Sequence, residues 1–380
     1  MELRGYRFDE ISVNYDKKRI PLSGTQREKR KGEYRYYGAQ GVIDYIDDYI
    51  FDGTFLLIAE DGENLKSKKQ NIAQVVNGQF WVNNHAHIVT GNDLCDTHYL
   101  CYLINSMDLS GYVTGSAQPK LSQANLNAVT LLLPRREIQK KIVDYLRKID
   151  EKIELNTLIN KNLEQQAQAY FDELFVVNAD PNWPECTLSD IGTVVAGGTP
   201  SKSKPEYYAD QGIAWITPKD LSVDKSKFVS HGENDISELG FSNSSATKMP
   251  AGTILFSSRA PIGYIAIAQN EVTTNQGFKS VIPNANIGTA YVYFLLKNLL
   301  PAIEGMASGS TFKEISGTGM KSVPTVMPDA DTIQLFSNFC KPVFKEQEVL
   351  EAANKHLSAL RDSLLPKLMS GELDISNIEL

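Results

Sequence analysis

The sequence predicts a mixed α/β (α+β) protein: two similar domains separated by two long helices that pair as an antiparallel coiled coil, with an internal pseudo-twofold repeat. Three observations predict this. The chain matches itself at a constant offset of 194 residues, each copy of the match runs into a long helical apolar seam, and 380 residues exceed what one hydrophobic core serves.

The repeat is clearest where residues 115–134 align without gaps to residues 309–328, with five identities in twenty positions: Gly115/Gly309, Ser116/Ser310, Ser122/Ser316, Val129/Val323 and Pro134/Pro328. Leu121/Ile315, Leu126/Met320 and Leu133/Met327 are conservative pairs, and the same offset pairs Tyr99 with Tyr293. Near the start of each half, Phe8-Asp-Glu-Ile11 resembles Leu188-Ser-Asp-Ile191, and Asp52-Gly-Thr-Phe-Leu-Leu57 resembles Ala251-Gly-Thr-Ile-Leu-Phe256, at offsets that differ from 194, so loops in between have changed length. The elements therefore fall in the order residues 1–134 (first domain), 135–178 (central helix), 179–328 (second domain) and 329–380 (C-terminal helix).

Stepping by four and three residues from Ile142 gives Leu146, Ile149, Ile153, Asn156, Asn160, Leu163, Ala167, Tyr170 and Leu174, which is a coiled-coil seam. Bounded by Pro134 and Pro181, that helix is about 40 residues, or roughly 60 Å at 1.5 Å per residue. In the second copy Phe339, Val343, Leu350, Ala353, Leu357, Leu360, Leu364 and Leu368 form a comparable stripe interrupted by Glu346, with Pro366 expected to kink or end the helix. Asn156 and Asn160 in adjacent seam positions would fix register at a cost in stability.

Composition excludes several classes. With 42% apolar and 22% charged residues the chain is ordinary folded protein. The opening MELRGYRFDE has no apolar signal core, and nothing approaches the roughly 18 apolar residues of a membrane helix, so a cytoplasmic location is expected. Cys95, Cys101, Cys186 and Cys340 form no C-x-x-C pair and are expected to be reduced. The formal charge of -8 opposes nucleic-acid binding at face value, but eight basic residues between Lys17 and Arg35 face only Glu28 and Glu33, while residues 329–380 hold five basic and nine acidic residues.

Catalytic signatures are missing. There is no Asn/Asp-Pro-Pro-aromatic loop to hold a flipped base, and Gly317-Thr-Gly319 before a Pro is better explained as a turn than as a cofactor loop. No Gly-Lys dipeptide is present to build a phosphate-binding loop. Asp16-Lys-Lys18 and Asp150-Glu-Lys152 have a nuclease-like look but sit in a basic loop and on the long helix. His85, His87, Cys95, His98 and Cys101 match no common zinc spacing, and Cys101 reads as a small apolar helix residue.

Local phrases identify a family. Gly197-Gly-Thr-Pro-Ser201 with Tyr207-Tyr208 and Trp215-Ile-Thr-Pro-Lys-Asp220, Tyr36-Tyr-Gly-Ala-Gln-Gly41 with Trp81-Val-Asn-Asn-His-Ala-His87, and the closing Leu364-Leu-Pro-Lys-Leu-Met-Ser-Gly-Glu-Leu373 resemble segments of the specificity (S) subunits of Type I restriction-modification systems, the HsdS family. The family often has adjacent Glu-Gln at the helix start, where this chain separates Glu137 from Gln139. The resemblance implies a non-catalytic DNA-binding subunit with two target-recognition domains, each recognising one half of a bipartite double-stranded site. It implies that two modification (methyltransferase) subunits, which hold S-adenosylmethionine, dock on the paired helices, and that restriction (motor-nuclease) subunits join for cleavage. No cofactor, metal or catalytic residue is expected in this chain, and no membrane contact. The alternatives are a coiled-coil adaptor that does not touch DNA, and a self-contained methyltransferase or nuclease with recognition domains attached.

Candidate DNA-contacting residues are donors and acceptors on loops. In the first domain they are Lys17, Lys18, Arg19, Arg27, Lys29, Arg30, Arg35, Tyr36, Tyr37 and Gln40, with Ser116, Gln118 and Lys120 in the repeated loop. In the second they are Thr199, Ser201, Lys202, Lys204, Tyr207, Tyr208, Lys219, Ser257, Ser258 and Arg259, with Ser308, Ser310, Thr311 and Lys313 in the repeated loop. A charge run is ordinarily a solvated face, and paired tyrosines more often seat a strand than touch a base. Arg259 is the sharper choice: it follows Phe256-Ser-Ser and precedes Ala-Pro-Ile-Gly263, so a turn should present it after a strand, ready for a base edge. Lys120 and Lys313 sit one position apart in the repeat, and Lys120 suits a phosphate.

Overall fold

In the computed structural model, which describes residues 1–115, 118–309 and 313–376, four of the five repeat identities have a visible structural role. The fifth pair, Ser116 and Ser310, lies outside the described residues, as does the candidate Thr311. Gly115 and Gly309 both adopt positive φ, 85° and 122°, which a side chain would strain. Ser122 and Ser316 are N-caps whose side chains accept from Asn125 N and Gly319 N, starting the short helices Gln123–Asn127 and Gly317–Lys321. Gly317-Thr-Gly319 is thus the first turn of a capped helix rather than a loop turn. The carbonyls of Val129 and Val323 each accept a hydrogen bond at 2.9 Å, from Phe8 N and Leu188 N respectively. Pro134 and Pro328 close the strands Thr130–Leu133 and Pro324–Val326 just ahead of the long helices.

Met1–Ile153 with the stretch from His356 forms one compact unit, and Glu154–Lys355 forms the other. The first unit contains a six-stranded sheet in the spatial order Ser12–Asn14, Ala86–Gly91, Phe51–Ala59, Ala73–Val82, Lys31–Gly38, Gly41–Ile46. Both faces are buried in the middle of the sheet. Leu56 and Ile58 point to a core shared with Tyr99, Leu100 and Ile104 of helix Thr97–Ser106, while Leu57 between them joins Tyr37, Phe80 and Ile88 on the other side. Asp96 caps that helix by accepting from His98 N and Tyr99 N.

The second unit contains a five-stranded sheet (Gly192–Ala196, Lys279–Pro283, Ile254–Ser258, Ile262–Ala268, Phe228–Val229) and a four-stranded one (Tyr208–Ala209, Asn234–Ile236, Ile213–Ile216, Thr273–Thr274). Helix Thr289–Asn298 corresponds to Thr97–Ser106, and counting from the two threonines pairs Tyr99 with Tyr291, both fully buried. This corrects the Tyr99/Tyr293 pairing by two residues, a length change the constant offset hides.

The long helices are Arg136–Asp172, continued by one wider turn at Glu173–Val177, and Ala330–Ser370. The latter runs through Pro342 and Pro366, so Pro366 does not end it. Within the second unit Asn156 Nδ2 donates to Asn354 Oδ1 at 2.8 Å, Gln347 Nε2 donates to the Asn160 carbonyl at 3.2 Å, and the rings of Phe171 and Phe336 lie 5.7 Å apart. Partner numbers fall as central-helix numbers rise, so the pair is antiparallel. The first unit shows the same sense: Arg361 reaches Asp150 at 2.8 Å, while Ile142 and Leu146 share a core with Leu368 and Met369.

The central-helix seam is as expected, with Ile142, Leu146, Ile149, Asn156 and Ala167 buried. The C-terminal seam differs. Its buried row is Phe336, Cys340, Gln347, Leu350 and Leu368, with Asn354 and Arg361 half-buried between them, whereas Phe339 and Leu360 are 37% and 36% exposed. A search for apolar side chains passes over Gln347, Asn354 and Arg361, whose polar groups are satisfied by Asn160, Asn156 and Asp150. Adding 194 to the central seam positions lands on this row.

Within the second unit, Lys227 ties the five-stranded sheet to the helices. Its buried ammonium lies 2.7 Å from Glu164 Oε2 and 2.9 Å from Gln347 Oε1, 3.6 Å from the centre of the Phe344 ring. Burial pulls this ammonium down to about 8, against the opposing pull of Glu164. The backbone N–H groups of Lys227 and Phe228 both donate to the Glu351 carboxylate. No helix among the described residues is long and apolar enough to cross a membrane.

Candidate nucleic-acid interface

In the second domain the Gly197-Gly-Thr-Pro loop is clamped between two neighbours. A Cβ on Gly197 would fall 1.9 Å from the Asn275 carbonyl, and one on Gly198 2.3 Å from Ala246 N. Gly198 N donates to Thr274 O at 2.8 Å, and its carbonyl accepts from Trp215 Nε1 at 3.0 Å. Close packing of backbone on backbone leaves only glycine there. The loop forms one wall of a groove of about 580 Å³ whose rim carries Thr199, Lys202, Tyr208, Lys219, Asn234 and Gln276. Its floor is held by helix Pro218–Val223, which Thr217 caps by accepting from Asp220 N.

A second feature faces the repeated loop. Strand Ile254–Ser258 ends in a turn with a cis Ala260–Pro261 peptide, which presents Arg259 as the sequence pattern suggests. Arg259 Nη1 lies 3.3 Å from Glu314 Oε2, and Lys279 Nζ lies 3.5 Å from Glu314 Oε1. The loop closes on itself through two hydrogen bonds between Ser308 and Glu314.

The first domain repeats this geometry with the charges reversed. Thr114 and Lys120 close the loop by the same pair of backbone hydrogen bonds, and Lys120 Nζ lies 3.2 Å from Glu60. Lys120 corresponds to Glu314, not to Lys313, because the bridge positions differ by 194. Glu60 also takes Arg19 at 2.9 Å. Burial raises the Glu60 carboxyl, but Arg19, His87 and Lys120 outweigh it and hold the group below its ordinary value.

The family profile described as "Type I restriction modification DNA specificity domain" matches residues 7–165 and again 181–355. The chain belongs to this family. Specificity subunits target a reaction rather than catalyse it. Among relatives, the Type I restriction enzyme MjaIX specificity subunit of Methanocaldococcus jannaschii is 37% identical over 190 residues, 48% of this chain and 44% of that protein, so the match spans less than half of that relative. The Type I restriction enzyme HindI specificity subunit of Haemophilus influenzae is 25% identical over 331 residues, 67% of this chain and 71% of that protein. The crystal structure of a Type I restriction-modification S subunit from M. genitalium shares the fold, with a TM-score of 0.62 at 17% identity, covering 99% of this chain and 97% of that one.

In these specificity domains the sequence candidates separate by burial. Lys17, Lys18, Lys29, Gln40, Gln118 and Lys120 are exposed in the first domain, as are Ser201, Lys202, Lys204, Lys219, Ser308 and Lys313 in the second. Tyr36, Tyr37, Tyr207, Ser257 and Ser258 are buried, which corrects their expected role as contacts. Tyr36 has no exposed surface and accepts from Leu22 N, Tyr37 packs on Phe80, and Tyr207 takes the Lys204 ammonium. Ser257 Oγ donates to Pro261 O and Ser258 Oγ to Gly277 O, so both serines build the turn rather than face outward.

The basic run is largely neutralised in place. Arg19 is held by Asp16 and Glu60, Arg27 by Asp44, and Arg30 by Asp47 while stacking over Trp81; Arg35 donates to the Asn77 carbonyl. Lys17, Lys18 and Lys29 make no ion pair among the described residues. Asp16, the acid of the nuclease-like tripeptide, is buried. His87, Ile88 N and Arg19 hold its carboxyl below the ordinary value against the opposing effect of that burial. Both ring nitrogens of His87 face oxygens, of Asp16 and of the Leu121 carbonyl, while His85 sits on Asp61. Asp150 takes Tyr102 and Arg361. Sequence reasoning missed Gln276, Glu60 and Glu314; the first is signalled only by an amide next to a glycine between two strands.

Proposed function

We propose that this chain is the sequence-reading subunit of a Type I restriction-modification complex. Each specificity domain reads one half of a bipartite double-stranded DNA site, modification subunits dock on the paired helices, and S-adenosylmethionine is held by those subunits. Restriction subunits join the same assembly for cleavage. The observation that carries the reading is the duplication itself: the specificity-domain profile matches twice, once in each copy of an internal repeat. A chain with two readers joined by helices suits a split target better than a contiguous one. The bases sit beyond the phosphates, so phosphate contacts from lysines such as Lys17, Lys29 and Lys202 would set position and groove contacts would set sequence.

The test is genome-wide methylation mapping in a strain that carries the modification subunits with and without this chain. Methylated adenines confined to one two-part motif, and dependent on the chain, are the expected result. A single contiguous motif, or methylation that persists without the chain, overturns the reading. The isolated chain should transfer no methyl group and hydrolyse no ATP.

A further inference from the structure

We infer that Gln276, oriented by Thr199 in a groove that Lys202 also lines, is the adenine-reading side chain of the second specificity domain. This rests on the proposed function and goes beyond it by assigning one base to one residue.

Most polar groups of the groove are already spent. Trp215 Nε1 donates to Gly198 O, Tyr208 Oη to Pro200 O, and Lys219 pairs with Glu233 at 2.5 Å. The Asp220 carboxylate accepts from Thr217 N and Glu233 N. Gln276 differs. Its side chain is exposed at the rim, Thr199 Oγ1 donates to its Oε1, and its Nε2 donates to nothing among the described residues. Lys202 on the same rim makes no ion pair among the described residues.

The backbone around Gln276 is pinned on both sides. Asn275 N donates to Ile216 O at 3.0 Å, Gly277 N to Asn275 Oδ1 at 2.8 Å, and Phe278 N to Asn275 O at 3.2 Å. The Gly277 carbonyl accepts from Ser258 N at 2.7 Å. A side chain held at its base by these bonds and at its tip by Thr199 loses little freedom on binding. With Oε1 accepting from Thr199, Nε2 is the donor that has no acceptor among the described residues. A carbonyl oxygen has a second lone pair, so Oε1 can still accept from adenine N6–H while Nε2 donates to N7, the pairing that an amide makes with adenine in the major groove. Lys202 supplies the adjacent phosphate contact.

The experiment is methylation mapping of the complete complex carrying Gln276→Ala or Gln276→Glu. The Ala variant should keep the first half-site and lose discrimination at one adenine·thymine position of the second by about five- to 150-fold. The Glu variant, which keeps acceptors and loses the donor, should shift that position toward cytosine, whose N4–H2 is a donor. Thr199→Val should relax the same position and no other. If both Gln276 variants keep the second half-site sharp, or if relaxation follows Asn234→Ala on the same rim instead, the inference is overturned. Loss of both half-sites together would also overturn it, since that marks a folding role. A wild-type complex that reads no bipartite site would instead remove the proposed function.

Discussion

At the scale of single residues, a side chain's chemistry indicates what it can bind, and its burial decides whether it is free to do so. Tyr36 is a donor, acceptor and stacking platform in sequence, yet it is spent on Leu22 N in a sealed core. Tyr36→Phe should therefore cost about 1 kcal/mol of stability by removing the hydroxyl that accepts from Leu22 N and donates to Leu22 O, with both half-sites unchanged in methylation mapping. Lys120 lies in the repeated loop of the first domain and Arg259 in the turn that faces the repeated loop of the second, and each is held by a carboxylate, Glu60 and Glu314. Both remain partly exposed, so DNA can compete for them. Lys120→Ala in the assembled complex should weaken binding to all sequences and lower the salt slope by about one unit, while Arg259→Ala should cost about 1 to 3 kcal/mol at one base position. Binding titrations at several salt concentrations, on cognate and single-substituted duplexes, separate the two. Wild-type affinity and specificity in both variants would remove these residues from the interface.

At the scale of elements, the two long helices were legible because coiled-coil periodicity is local: seven residues suffice to show it. Polar members of the C-terminal seam were not legible, because Gln347 and Asn354 belong to the interior only through partners 187 and 198 residues away. Lys227 shows the same dependence. Folded, its ammonium titrates at about 8; unfolded, at the ordinary 10.5. Below about pH 8 both states are charged and the burial cost is fully present. Between about 8 and 10.5 the unfolded chain binds more protons, so this group's contribution to stability rises with pH. Lys227→Met lacks that gain. Thermal unfolding of wild type and variant at pH 7.5 and 9.5 should show the melting temperature of the wild type improving relative to the variant at the higher pH. An unchanged or reversed difference would mean that Lys227 does not titrate as its burial requires.

At the scale of the whole molecule, the repeat is strong in its connectors and weak within residues 12–50 and 199–250, where the first domain builds a six-stranded sheet and the second a five-stranded and a four-stranded one. Caps and carbonyl acceptors keep their 194-residue spacing while the recognition surfaces diverge, even reversing the Lys120/Glu60 charge pattern to Glu314/Arg259. Such surfaces should be exchangeable. Replacing residues 1–134 by the corresponding domain of a relative should change one half-site of the methylated motif and leave the other intact. A change in both halves would show that the domains do not read independently.

What the sequence by itself determined is what short-range chemistry encodes. The offset of 194, the identities Gly115/Gly309 and Ser122/Ser316 within it, and the central seam are all readable because each depends on residues within a few positions or on self-comparison. The tertiary structure alone decided which candidates are buried, which cations are neutralised and where an amide is left with a free donor. Arg19 meets Glu60 across 41 residues and Thr199 meets Gln276 across 77, and no local pattern connects such pairs. Burial and ion pairing are set by which strands and loops become neighbours. The same basic run that looks like a DNA-binding face in sequence is, once folded, largely a set of internal ion pairs.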